Sequence, residues 1–124
     1  MYIFDTNTLI YFFKGVGNVS TRLLEIPPNR IGVPTIVLFE LEVGISKSRS
    51  PGKRILQLKN MIAVVNILPF GMEEAKFSAS TRAKLELQGN PIGPYDVMIA
   101  ETALAHQATL VTHNTKEFSR IEGL

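Results

Sequence analysis

Three carboxylates in this 124-residue chain share a setting in which acids do chemistry. Asp5 follows the apolar run Tyr2-Ile3-Phe4 and precedes Thr6-Asn7-Thr8. That places it at the carboxyl end of an expected buried strand, where open α/β sheets hold their ligand crevice. Glu40 falls on the expected helix after the second strand, with Gly44 four residues on along the same face, where a glycine allows close backbone approach. Asp96 opens the penultimate helix, and Ala100 and Ala103 follow at helical spacing, small enough to seat that helix tightly on a sheet. Glu42 is turned by about 200° from Glu40, and Glu101 points away from Asp96. Spacing therefore selects Asp5, Glu40 and Asp96. The fourth position stays open between Thr112-His113-Asn114 and Lys116-Glu117-Phe118.

Acids gathered without a base need a cation. Two carboxylates about 4 Å apart repel by roughly 4 kcal/mol at an effective dielectric near 20. Three would cost on the order of 10 kcal/mol, comparable to the stability of a whole domain. Oxygen-only ligands select a hard ion, Mg²⁺ or Mn²⁺, which also takes phosphate oxygens. The chemistry that follows is hydrolysis of a phosphodiester. On spacing alone, separate helix caps and surface acids explain the same three residues equally well.

A basic stretch accompanies the acids. Between Val43 and Met72 stand Lys47, Arg49, Lys53, Arg54 and Lys59, with no acidic residue among them. Cations beside an acidic pocket suit a polyanionic substrate, with Lys47, Arg49, Lys53 and Arg54 as candidate contacts. A solvated helix face accounts for them as well.

The elements that must position these groups alternate. A strand at Tyr2-Ile3-Phe4 leads into a helix through Phe13 that Thr6 or Asn7 can cap. A turn at 15–18 precedes a short helix over 19–26, stopped by Pro27-Pro28-Asn29. A strand over 30–33 leads to a helix opened by Pro34-Thr35, with its first break near Gly44. Pro51 suits the start of the next helix, in which Ile55, Leu58 and Ile62 recur at helical spacing. Residues 64–68 read as a third strand, 72–87 as a long helix, 95–106 as a helix begun by Pro94, and 108–112 as the last strand. The alternation predicts an α/β fold with a mostly parallel sheet.

The length gives room for a single domain over 1–124 with one moderate core. An apolar fraction of 45% against 19% charged residues supports a compact globule. No apolar run approaches the roughly 18 residues of a membrane span. The absence of cysteine removes disulfides, thiolate ligands and thiol nucleophiles, and a strand directly after Met1 leaves no leader. The expected location is cytoplasmic.

Taken in order, several segments resemble a known family. Phe4-Asp5-Thr6-Asn7, Glu40 with Gly44, Pro91-Ile92-Gly93-Pro94-Tyr95-Asp96, and Leu110-Val111-Thr112-His113-Asn114 with Glu117-Phe118 follow the order of PIN-domain ribonucleases. More closely, they resemble VapC-type toxins of bacterial type II toxin–antitoxin modules, and the likeness spans nearly the whole chain. The resemblance implies a three-layer PIN-like fold, with Mg²⁺ or Mn²⁺ held by Asp5, Glu40 and Asp96. It implies endonucleolytic cleavage of RNA, with tRNA or another structured RNA as substrate. It further implies a cognate antitoxin and assembly as a homodimer or toxin–antitoxin hetero-oligomer. Thr6 takes the position whose hydroxyl supports the acidic cluster. Asn114 departs from the aspartate many PIN domains carry there, and Glu117 is the candidate replacement acid from the next turn.

Other residues offer weaker chemistry. His106 falls at an expected helix end, where free carbonyls wait, and a hard-ion site does not need the imidazole of His113. Tyr11, Phe12 and Phe13 suit a core helix or a dimer seam better than base stacking. Arg82 and Lys84 suit a solvated surface at least as well as RNA contact. A phosphatase using Asp5 as nucleophile wants an acid two residues on, where Asn7 stands. A signalling receiver wants an aspartate after its middle strand, where Pro69-Phe70-Gly71 stands. A catalytically inactive PIN scaffold that binds RNA or protein is the remaining alternative.

Overall fold

The computed structural model describes residues 1–124 apart from Ser20. Its frame is a sheet of four short strands, β1 (Tyr2–Phe4), β2 (Ile31–Pro34), β3 (Asn66–Leu68) and β4 (Thr109–Val111), in the order β3-β2-β1-β4. All neighbouring pairs are parallel, with Tyr2 opposite Ile31 on one side and Thr109 on the other. The helices are α1 (Thr6–Lys14), α2 (Val19–Leu24), α3 (Thr35–Ser46), α4 (Pro51–Ile62), α5 (Met72–Leu87), α6 (Pro94–Ala105) and α7 (Thr115–Phe118), and Pro28–Arg30 forms a single 3₁₀ turn.

The three layers follow from β1 itself. Successive strand residues face opposite sides, and Ile3 packs with Leu68 and Ala103 while Phe4 packs with Leu9, Val37, Leu41 and Leu58. Helices α1, α3 and α4 thus cover one face of the sheet, and α6, backed by α5, covers the other. Ala100 and Ala103 are fully buried. The small residues do seat α6 against its neighbours, as their spacing suggests. The expected α/β architecture with a parallel sheet between helices is the one observed.

Several local expectations need correction. The cap of α1 is Asp5, not Thr6 or Asn7: its extended backbone lets the carboxylate accept from the Thr8 amide, the free N–H of the first turn. Gly44 neither breaks α3, which continues to Ser46, nor permits close approach. A Cβ there would meet nothing within 4 Å, because the residue faces an open cavity of about 300 Å³ lined by Ile10, Phe13 and Leu41. Helix α2 stops at Leu24 rather than 26, and β3 begins at Asn66 rather than 64.

Candidate active site

The carboxyl edge of the sheet collects the acids. Asp5 leaves β1, Glu40 sits on the helix that follows β2, and Glu117 sits on the short helix after β4. Asp96 arrives from the other layer, in the first turn of α6, with Pro94 starting the helix. A hydrogen bond donated by the Asp5 backbone amide to the Val111 carbonyl carries the β1–β4 ladder up to the site.

Asp5 is the most tightly held of the four. It is 5% exposed. Its Oδ1 accepts from the amide and the hydroxyl of Thr8, and its Oδ2 accepts from the hydroxyl of Thr112. The Thr112 Oγ1 also accepts from the Asn114 amide at 2.9 Å, so one hydroxyl joins the end of β1 to the start of α7. Thr6 donates from Oγ1 to Glu40 Oε1 at 2.7 Å, which fixes the α3 carboxylate relative to α1. Asn114 donates from Nδ2 to Glu117 Oε2 at 2.9 Å.

Asp96 carries the electrostatic signature of the group. Its carboxyl is pushed up from 3.8 to about 6. Burial is the first cause, followed by the charges of Glu117, Glu40 and Asp5 and by a hydrogen bond to Glu117. An acid next to acids in a part-dry site holds its proton because a further negative charge is costly there. All three of the other carboxylates act on this one side chain, so the four form one electrostatic unit.

The donor set fits a hard divalent cation. It consists of carboxylates alone, and their charges add to burial in raising Asp96. The fit is one of chemistry rather than of preformed geometry. Among the described residues, no three acidic or histidine side chains stand in ready ligating positions. Asp5 spends both oxygens on threonine hydroxyls, and Asp96 turns to Glu117.

The remaining sequence candidates scatter. Lys47, Arg49 and Lys53 are exposed around the α3–α4 turn. Lys47 follows Glu40 by seven residues, about 10 Å along a helix. Arg54 is committed elsewhere: its guanidinium donates to the Phe13 carbonyl and to Gln57, tying α4 to the end of α1. Phe12 and Phe13 pack against the core as expected, but Tyr11 is exposed and meets His113 edge-on. Arg82 pairs with Glu86, and Lys84 pairs with Glu122, both on the surface. Glu101 does point away from Asp96, toward Thr81 on α5. Thr8 and Thr112 are the site residues that sequence reading missed. A threonine three residues after an N-cap aspartate is a usable signal for the first, whereas no local pattern announces the second.

A family model described as the PIN domain matches residues 2–124. The chain belongs to the PIN-domain family. Ribonuclease VapC2 of Rickettsia felis is 35% identical over 126 residues, covering 100% of this chain and 94% of that protein. The tRNA(fMet)-specific endonuclease VapC of Salmonella typhimurium is 32% identical over 123 residues, covering 99% of this PIN domain and 93% of the relative. Among solved structures, VapBC2 from Rickettsia felis bound to a promoter DNA fragment superposes with a TM-score of 0.89 at 34% identity, over 99% of this chain and 94% of that one. VapBC-1 from nontypeable Haemophilus influenzae gives 0.86 at 34% identity, over 99% and 93%. The likeness to VapC-type proteins read from the motifs is thus found in sequence and in fold.

Proposed function

We propose that this PIN domain is a divalent-metal-dependent endoribonuclease, the toxin of a VapBC-type toxin–antitoxin pair. The observation that carries the reading is the convergence of Asp5, Glu40 and Glu117 on Asp96, whose carboxyl is raised to about 6 by burial first and by these three charges in addition. Asp5, Glu40 and Asp96 would hold Mg²⁺ or Mn²⁺, with Glu117 as the fourth acid. When bound, such an ion neutralises phosphate oxygens and makes water a nucleophile near neutral pH.

The protein's own residues set the stage for that chemistry. Loading the site requires the Asp96 carboxyl to release its proton to solvent, so the cluster becomes competent as pH rises through about 6. Thr8 and Thr112 hold Asp5, Thr6 holds Glu40, and Asn114 holds Glu117, so three of the four carboxylates are oriented before substrate arrives. Asn114 contributes no charge, but its amide presents Glu117, which takes the place of the missing aspartate. That contact favours an active enzyme over an inactive scaffold.

The relatives named ribonuclease and endonuclease support RNA as substrate, and a structured RNA such as tRNA fits the relative named for tRNA(fMet). Exposed Lys47, Arg49 and Lys53 would follow the RNA backbone. The solved VapBC neighbours support a cognate antitoxin and assembly as a homodimer or hetero-oligomer. Among the described residues, no helix is long and apolar enough to cross a membrane, and we place the protein in the cytoplasm.

The test is cleavage of a total tRNA pool by antitoxin-free protein with Mg²⁺, Mn²⁺ or EDTA, beside Asp5→Asn. The expected result is discrete fragments that require metal and fall at least about a hundredfold in the variant, beyond the usual cost of losing a supporting contact. No fragments from folded, Mn²⁺-supplied protein would refute the enzyme and leave the binding scaffold.

A further inference from the structure

Two pairs of exposed rings adjoin the site residues in sequence, on elements that follow different strands. Phe39 and Tyr95 lie with ring centroids 5.6 Å apart and planes tilted by 60°. They are 49% and 43% exposed, and each immediately precedes a cluster acid, Glu40 or Asp96. Tyr11 and His113 lie 5.3 Å apart, edge to face, and both are exposed. His113 stands between Thr112, which holds Asp5, and Asn114, which holds Glu117. None of the four rings belongs to the hydrophobic clusters of the core.

The sheet order gives the pairs their arrangement. Phe39 is on the helix after β2 and His113 is in the loop after β4, and β2 and β4 flank β1 on opposite sides. Asp5, at the end of β1, therefore lies between the pairs. The exposed face of an aromatic ring near a cluster of acids is the kind of surface on which an unstacked nucleobase stacks. A base inside a duplex has both faces covered by its neighbours, so only an unpaired nucleotide offers that surface. A second copy of this chain seated across both pairs would cover the acids between them, which disfavours a self-association contact as the role of both.

We infer that Phe39 with Tyr95, and Tyr11 with His113, stack on the nucleobases at either side of the scissile phosphodiester, so that the substrate is an unpaired stretch of RNA laid across the site. This rests on the ribonuclease reading and adds to it the residues that select single-stranded segments. Stacking tolerates every base, so the pairs select for absence of pairing rather than for sequence.

The experiment measures binding, with Ca²⁺ replacing Mg²⁺ to suppress cleavage. The probe is a short, fluorescein-labelled, mixed-sequence RNA, single-stranded or annealed to its complement. The unaltered protein should prefer the single strand. Phe39→Ala with Tyr95→Ala, and Tyr11→Ala with His113→Ala, should each weaken single-strand binding by about 5- to 150-fold and leave duplex binding unchanged. Phe39→Tyr with Tyr95→Phe should retain the preference. Sedimentation of every variant reports folding and mass. Alanine variants that keep the preference overturn the inference while leaving the ribonuclease reading intact. Loss of binding that accompanies a change of mass assigns the rings to a second copy and overturns it too. Unaltered protein that binds neither RNA refutes the ribonuclease reading itself, and the stacking role with it.

Discussion

Helix α6 carries two acids, Asp96 and Glu101, five residues apart, and the molecule treats them in opposite ways. Glu101 is the more deeply buried, 8% exposed, and its Oε1 accepts a hydrogen bond from the Thr81 hydroxyl of α5. Asp96 is set among three other carboxylates and is pushed up to about 6. The α5–α6 interface answers its carboxylate with a donor, whereas the carboxyl edge of the sheet surrounds its carboxylate with more acids. A fold that can satisfy a buried acid in one place, and crowds acids in another, has put the second group there for an outside partner.

Substitutions can break or sharpen this contrast. The largest effect expected of a supporting residue is at Thr112, whose hydroxyl links Asp5 to Asn114. Thr112→Val keeps the shape and removes both bonds, and should lower metal-dependent cleavage by about 10- to 100-fold, the usual cost of losing a group that orients a ligand. Stability should fall as well, by about 1–3 kcal/mol, because the buried Asp5 carboxylate loses a donor. In the α5–α6 interface only stability should respond. Thr81→Val leaves the Glu101 carboxylate without its donor and should cost about 1–3 kcal/mol in denaturant unfolding, with cleavage unchanged. Equal losses of activity from the two variants would erase the distinction.

The smallest effect is at Ser78, one turn before Thr81. Its Oγ is buried and has no hydrogen-bond partner among the described residues. Ser78→Ala removes an unanswered polar group and should be neutral or stabilising by about 0.5 kcal/mol, within the usual range for such sites. A loss above about 2 kcal/mol would mean that the hydroxyl is satisfied after all, most simply by a buried water.

The same contrast separates what the sequence reveals from what it conceals. Pro51 and Pro94 mark the first residues of α4 and α6, because proline fixes its own φ and needs no amide partner at a helix start. Asp5, Glu40 and Asp96 could be singled out as candidates that the fold brings together because each has a recognisable place on a strand or helix. Glu117 was not legible from spacing, since α7 is only four residues long and has no periodicity to read. It required the likeness to a family. Thr112 was hidden because its role depends on β4 lying next to β1, a contact between residues 107 positions apart. Gly44 misled for a related reason. A helical glycine signals either close approach or open space, and only the packing of α1 against α3 decides which.

The most direct test of the central claim is thermal melting of metal-free protein and Asp96→Asn across pH 4 to 8, with and without Mn²⁺. A folded-state pKa raised to about 6 means that the folded protein holds this proton more tightly than the unfolded chain. The associated stability is full below 3.8, the ordinary value, and is lost as pH rises through about 6. Discounted for the solvent exposure of Asp96, the loss is on the order of 1 kcal/mol, or about 4 °C. The account predicts that the metal-free parent loses about this much relative to Asp96→Asn by pH 8, and that Mn²⁺ restores the parent while leaving the variant nearly unchanged. Parallel melting of the two proteins at every pH, with no response to Mn²⁺, would contradict it.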